Sequence, residues 1–217
     1  MTRRPTTFDA GSQPRLPEPS GLQLAFSAVW IGTAAALWVA LAVDVSASVH
    51  LPGWWVLMAV LGGVASADFA SGLLHWGADT WGRADMPILG PRVLVPFRVH
   101  HVNPDDFLRR SFLDTNGDVA ALAIPVLVAL LWMPLDSALA QTIGVMGLAF
   151  CGMGTMTNQI HQWAHMPNPP RAVARLQTAG IFLPPTAHAR HHGRPYDGAY
   201  CITTGWCNSP LEAVGFC

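Results

Sequence analysis

Long uncharged apolar runs alternate with polar segments along this 217-residue chain. The first run, residues 22–43, would be about 33 Å long as an α-helix, against a hydrocarbon core of about 30 Å. Three further apolar runs cover residues 54–74, 119–135 and 138–157, the last two joined by a tight turn. This pattern predicts an all-α integral membrane protein in which these four runs are the transmembrane helices.

The N-terminal region has two predicted parts. Residues 1–20 combine arginines and prolines without an apolar stretch, which predicts a flexible tail before a membrane domain at 21–217. A cleaved signal peptide is the alternative interpretation of the first apolar run, because the small residues Ser46 and Ala47 follow it. The run exceeds the usual apolar segment of about 7–15 residues in a signal peptide, which favours a membrane span.

The composition supports a membrane protein and orients it. Hydrophobic residues make up 51% of the chain and charged residues 12%, against about 25% in ordinary soluble domains. The net charge of −1 argues against nucleic acid as a partner, and the spacing of the four cysteines indicates reduced thiols. All twelve basic residues are arginines on one side of the four-helix topology, together with both termini. The positive-inside rule predicts that this side is cytoplasmic.

Histidine follows the same distribution as arginine. Eight of the nine histidines lie on the arginine side near the membrane boundary, and His50 lies opposite. His161 and His165 are four residues apart, as are His188 and His192, so each pair can share a helix face. The pattern predicts a metal site, and eight ligands exceed the four of one tetrahedral zinc, which favours two metal ions. The eight are His75, His100, His101, His161, His165, His188, His191 and His192.

The identity of the metal stays open at this point. Imidazole ligands without thiolates suit zinc, iron, copper or nickel. In the alternative without a metal, the histidines lie at the lipid headgroup boundary and form hydrogen bonds with water and phosphate. The absence of a His-Glu-x-x-His motif disfavours a membrane protease. Asp68 lies inside the second apolar run, seven residues before His75, and is either functional or the acceptor of an interhelical hydrogen bond.

Five motifs follow one another along the chain: ADFASGLLHWGADTWG at 67–82, PFRVHH at 96–101, TNGD at 115–118, TNQIHQWAH at 157–165 and a histidine-rich stretch at 188–212. In this order they resemble the Kua/CarF family of plasmanylethanolamine desaturases, over roughly residues 54–217. The resemblance implies a membrane-embedded, non-haem di-iron enzyme. Such an enzyme uses O2 and two electrons to convert the 1-O-alkyl chain of an ether phospholipid to the vinyl ether of a plasmalogen.

The resemblance also implies roles for individual residues. The eight histidines would be the iron ligands, in a histidine-rich cytoplasmic cap. Asp79 would be a ligand or, as we prefer from sequence, a carboxylate that orients a ligand. Asp68 and Asn158 are further candidates for supporting the site. The family usually has a histidine where this chain has Tyr196, and Asp197 or water is a candidate substitute for it.

The substrate and the electrons require further partners. Five arginines are candidates for binding the headgroup phosphate, although each could instead only set the orientation of the chain in the membrane. They are Arg98, Arg109, Arg110, Arg171 and Arg175. Residues 170–176 are predicted to form an amphipathic surface helix. Electrons would come from a separate protein of the cytochrome b5 or ferredoxin type, because the chain has no haem, flavin or iron–sulfur motif.

Three other functions compete with this interpretation. A fatty-acyl desaturase or hydroxylase would use the same metal chemistry, and the sequence does not separate it from an ether-lipid desaturase. A non-enzymatic metal-binding regulator belongs to another class and would bind metal without turnover. A metal transporter is disfavoured, because its ligands would lie near the bilayer midplane and the histidines here gather on one side.

Overall fold

The computed structural model describes residues 13–216, and within that range the chain is helical, without β-strands. Its ten α-helices are α1 (Gly21–Ser48), α2 (Gly53–Thr80), α3 (Val95–Val102), α4 (Pro104–Leu108), α5 (Phe112–Leu131), α6 (Ala138–Thr155), α7 (Thr157–His165), α8 (Arg171–Thr178), α9 (Pro185–His191) and α10 (Asn208–Ala213). A π-helical turn, Gly90–Leu94, leads directly into α3. By length and composition α1, α2, α5 and α6 can each cross a membrane, which confirms the predicted all-α, four-span architecture.

Three of the four spanning helices begin at a serine. The Ser20 hydroxyl accepts the Gln23 N–H at 3.2 Å and the Gln23 side chain accepts the Ser20 N–H at 2.7 Å, a capping box for α1. Ser111 and Ser137 cap α5 and α6 with one hydrogen bond each. The cap starts α5 well before the predicted apolar run, and the helix ends short of Pro134, which has no N–H and disfavours helix in the residue before it.

The four long helices form a bundle in which α1 packs along α5 and α2 along α6, with α5 and α6 as the predicted hairpin. The α2–α6 contact depends on Gly63, where a Cβ would overlap the Met146 carbonyl and crowd Ala149. Small residues at such contacts let membrane helices approach closely. Buried apolar side chains of all four helices form the core, among them Ala34, Leu41, Val45, Ala59, Leu127, Leu130 and Val145.

The outward faces of the bundle are apolar. Exposed large hydrophobic side chains occur along all four helices, and Trp54 and Trp132 lie at the end where α2 begins and α5 ends. Tryptophans at this position are typical of a membrane–water interface. Together with the four spans, these faces indicate a multi-pass membrane protein.

The shorter helices build a cap at the other end of the bundle, where α2 ends and α1 begins. Ile160, Ala164, Leu183 and Ile202 form its small apolar core. α8 is the predicted amphipathic helix: Val173 is buried in the cap, whereas both of its arginines are exposed. The cap brings together α3, α7 and α9, which carry six of the eight predicted metal-binding histidines, and His192 follows α9 directly.

The region predicted as a flexible tail, residues 1–20, contains a hydrogen-bonded strap over residues 14–18, whereas residues 1–12 lie outside the described part. The strap lies against α4. Asp106 is buried and accepts hydrogen bonds from the side chains of Arg109 and Arg110, and both arginines also donate to backbone carbonyl groups of the strap. The hydrogen-bonding residues are Pro14, Leu16, Pro17 and Glu18 in the strap and Asn103, Asp106, Arg109 and Arg110 beneath it. These contacts join residues 14–18 to the cap.

Candidate metal centre

The eight predicted histidines and Asp79 converge at the cap end of the bundle in two adjacent groups. Within each group the nitrogen and oxygen atoms that could bind a metal all lie within 4.8 Å of one another. We call them site A and site B. Site A contains His100, His161, His165, His188 and His192; site B contains His75, Asp79, His101 and His191.

Site A consists of five imidazoles from α3, α7 and the end of α9. The Nε2 atom of His188 lies 2.9 Å from that of His161 and 2.7 Å from that of His165. The Nε2 atoms of His192 and His100 are 3.0 Å apart. The rings therefore turn the same type of nitrogen towards a common centre, as metal-binding imidazoles do.

Site B combines three imidazoles with one carboxylate. The Oδ2 atom of Asp79 lies 3.4 Å from His75 Nε2, 3.5 Å from His101 Nε2 and 3.7 Å from His191 Nε2. His101 and His191 bring their Nε2 atoms to 2.9 Å of each other. The site borders site A directly, since the ring centroids of His101 and His192 are 5.3 Å apart.

Helix geometry explains this division of the histidines. Residues four apart share a face, so His161 and His165 of α7 enter one site, and His75 and Asp79 of α2 the other. Adjacent helical residues point about 100° apart. For this reason the neighbouring pairs His100–His101 and His191–His192 each supply one imidazole to site A and one to site B.

Burial keeps the imidazoles of the cap neutral. Desolvation, reinforced by the neighbouring histidines, lowers the pKa of His100, His161 and His188 well below its usual value. The same causes lower the pKa of both His101 and His165 to about 3. Neutral imidazole is the form that binds metal ions, so the site is ready for a cation at physiological pH.

Backbone carbonyls orient two rings of site B. His75 Nδ1 lies 3.1 Å from the Tyr200 carbonyl, and His191 Nδ1 lies 2.8 Å from the Gly198 carbonyl. These contacts assign the proton to Nδ1 and leave Nε2 as the coordinating atom. Neither carbonyl was predicted, because a backbone acceptor has no signature in the side-chain sequence. In site A, by contrast, the buried Nδ1 atoms of His100 and His188 have no hydrogen-bond partner in the described residues.

Two other predicted residues lie outside both sites. Asp68 is buried in α2, and its carboxylate accepts backbone N–H groups of the segment after α9. Asn158 donates to the Thr115 carbonyl at 2.6 Å and so ties α7 to α5. Both residues connect elements of the fold around the sites. Tyr196, in the position of the usual family histidine, packs its ring against His101 with centroids 5.3 Å apart.

The predicted headgroup arginines divide into two sets. Arg98 donates to the Trp81 and Gly82 carbonyls at the end of α2, and Arg109 and Arg110 hold the N-terminal strap. Arg171 and Arg175 are exposed one turn apart on α8, and neither side chain has a hydrogen bond or ion pair within residues 13–216. Only this second pair leaves its guanidinium groups available to a ligand.

Comparison with known proteins agrees with this architecture. The model of the family described as "Lipid desaturase domain" matches residues 64–217, more than half of the chain. The chain belongs to the lipid desaturase domain family. This membership confirms the resemblance predicted from the five motifs, and the family match covers α2 from its middle onwards together with every residue of sites A and B.

Individual relatives of the lipid desaturase chain are named as desaturases. It is 42% identical over 171 residues, 75% of the chain, to plasmanylethanolamine desaturase of Myxococcus xanthus, and 41% identical over 167 residues, 74% of the chain, to plasmanylethanolamine desaturase 1 of Mus musculus. It is 35% identical over 156 residues, 69% of the chain, to chloroplastic fatty acid desaturase 4 of Arabidopsis thaliana. The matches span 58%, 62% and 46% of these relatives' own lengths. No solved structure matches the chain.

Proposed function

We propose that this chain is a membrane di-iron desaturase that converts the 1-O-alkyl chain of plasmanylethanolamine to the vinyl ether of a plasmalogen. The observation that carries the proposal is the pair of adjacent sites, with eight buried or half-buried imidazoles and one carboxylate. The names of the two relatives above 40% identity favour an ether-lipid substrate. The overall reaction consumes O2, two electrons and two protons, removes two hydrogens from the alkyl chain and releases two waters.

The residues of both sites fit metal ions of the iron type. Both Asp79 oxygens and His75 Nε2 are buried without a hydrogen-bond partner in the described residues, which is costly unless a cation satisfies them. Imidazole and carboxylate are ligands that iron accepts. Iron bound at these residues would supply redox chemistry with O2, which zinc does not offer.

The structure favours Asp79 as a ligand over the orienting role that we preferred from sequence. Its Oδ2 faces three imidazole nitrogens of site B at similar distances, and it makes no hydrogen bond to the Nδ1–H of any of these rings. An orienting carboxylate would accept such an N–H. The Nδ1 atoms of His75 and His191 face backbone carbonyls instead.

The position of the sites at one end of the bundle suits a lipid substrate. The headgroup would remain at the membrane surface, where Arg171 and Arg175 of α8 can bind its phosphate through charge-assisted hydrogen bonds. The alkyl chain would enter from the bundle side, and the cap would exclude water from it. We propose that the cap and both termini face the cytoplasm, following the arginine distribution. A cytochrome b5 or ferredoxin type donor would dock there and deliver the electrons.

The test is lipid analysis of cells that lack plasmalogens, with and without this chain. Acid-labile vinyl ethers that release long-chain aldehydes are the expected product. New double bonds confined to ester-linked chains would instead identify the acyl-lipid desaturase alternative. Purified protein should contain two irons per chain, and one iron or none, or zinc in its place, would contradict the di-iron proposal and favour a metal-binding regulator.

A matched pair of histidine variants tests the assignment within the same assay. His161→Ala removes an imidazole from site A and should abolish the product while the protein stays in the membrane. His50→Ala removes the histidine outside both sites, and it should retain product. Activity retained by the first variant would refute its assignment as a ligand.

A further inference from the structure

Asp68 is a fully buried acidic residue of α2 that belongs to neither site, about two turns below His75. No salt bridge to it occurs among the described residues, although burying a carboxylate is costly without compensation. Four backbone N–H groups of one segment compensate it. These donors are Thr203, Thr204 and Gly205 on Oδ1, at 3.1, 2.7 and 2.9 Å, and Cys207 on Oδ2, at 2.9 Å.

This arrangement requires a carboxylate. Successive N–H groups that converge on one point form a concave anion site, and Asp68 fills it from another helix. Both oxygens accept, and an ionised carboxylate is the short side chain that has acceptors only. An asparagine could keep one oxygen in place but would direct its NH2 group against the Cys207 N–H. Asp68 therefore holds residues 203–207 in one conformation, and this role requires the two acceptor oxygens of a carboxylate.

The segment held by Asp68 continues along one stripe of α2 towards site B. Positions 68, 71, 72 and 75 share a helix face. The Ser71 hydroxyl accepts the Ile202 N–H at 3.1 Å. Gly72 gives room for Cys201, whose Sγ would overlap a Cβ there. At the upper end of the stripe the Tyr200 carbonyl lies 3.1 Å from His75 Nδ1.

We propose that Asp68 is a positioning residue for site B. It fixes the segment at residues 203–207, the segment places the Tyr200 carbonyl, and the carbonyl turns His75 so that Nε2 faces Asp79. Outer partners of metal-binding histidines raise metal affinity by about 10–100-fold. The inference rests on the proposed di-metal function and extends it, since it assigns Asp68 to one of the two metals. Site A has no member on α2 and should not depend on Asp68.

The experiment compares Asp68→Asn with the unchanged full-length chain in detergent or lipid nanodiscs, at limiting and at excess iron. We expect iron content to fall from two per chain towards one at limiting iron, with about 10–100-fold weaker binding of the iron at site B. Mössbauer spectra should lose one of two iron signals and keep the other. Ser71→Ala removes a single hydrogen bond from the same segment and should give a smaller loss of the same signal.

A double variant separates positioning from general damage to the fold. If Asp68 acts through His75, adding Asp68→Asn to His75→Ala leaves the iron content and the remaining signal unchanged. If Asp68 only stabilises the fold, the double variant loses further iron and both signals weaken in Asp68→Asn alone, which would overturn the inference. Two irons with unaltered spectra in Asp68→Asn would overturn it as well. Failure of the unchanged chain to bind two irons would instead contradict the proposed function.

Discussion

Sites A and B are built from the same residue type, yet their surroundings differ. Site A has five imidazoles, no carboxylate and two buried Nδ1 atoms without a partner among the described residues. Site B has three imidazoles, the carboxylate of Asp79 and two rings oriented by the carbonyls of Gly198 and Tyr200. A count of histidines therefore says little about a metal site until the atoms around the ligands are known.

Under the proposed di-metal function, the difference predicts that the two sites hold their metals unequally. The carboxylate of site B offsets part of a cation's charge, and its oriented rings lose less freedom when they bind. Site A relies on packing, with the Phe107 ring against His161 at a centroid distance of 5.0 Å. We expect site B to retain its metal longer than site A does.

The largest effects should come from removing one member of an adjacent pair. His191→Ala breaks site B, and His192→Ala breaks site A, although the two positions are neighbours in sequence. Each variant should lose product by more than the roughly 10–100-fold caused by loss of an outer partner. Each should also keep one iron, and the two surviving Mössbauer signals should be complementary. The same surviving signal in both variants would contradict the division into two sites.

A second, smaller effect should follow from Asp79→Asn. This change keeps the shape of the side chain but removes the charge that distinguishes site B. A chelator should release iron from the unchanged protein first at site A, whereas in Asp79→Asn site B should empty first or at the same rate. Release followed by absorbance and by Mössbauer spectra gives the order. If site B of Asp79→Asn still loses its iron after site A, the Asp79 carboxylate does not determine the iron affinity of site B.

The smallest effect should come from Tyr196, whose ring packs on His101 of site B. Tyr196→Ala removes a ring contact worth about 0.5–1.5 kcal/mol, so site B should bind iron roughly 2–10-fold more weakly while site A is unchanged. Tyr196→Phe keeps the ring and serves as the control. Iron titration of both variants provides the measurement, and equal weakening by the two changes would rule out the packing explanation.

The four spans, the gathering of eight histidines at one end and the family can all be predicted from the amino-acid sequence. Each follows from local features: apolar runs longer than a bilayer core, residue types at fixed spacing and motifs in order. These features do not assign His191 to site B and His192 to site A.

The contacts between residues far apart in the chain depend on the folded structure. It brought the Asp79 carboxylate to imidazoles of α3 and α9, engaged Arg98, Arg109 and Arg110 inside the cap, and placed Asp68 under a segment about 135 residues later in the chain. Local spacing does not determine such contacts, because a charged or polar side chain takes whichever partner the folded chain places within hydrogen-bond distance. The residue types predicted a metal centre, and long-range packing divided it into two unequal sites.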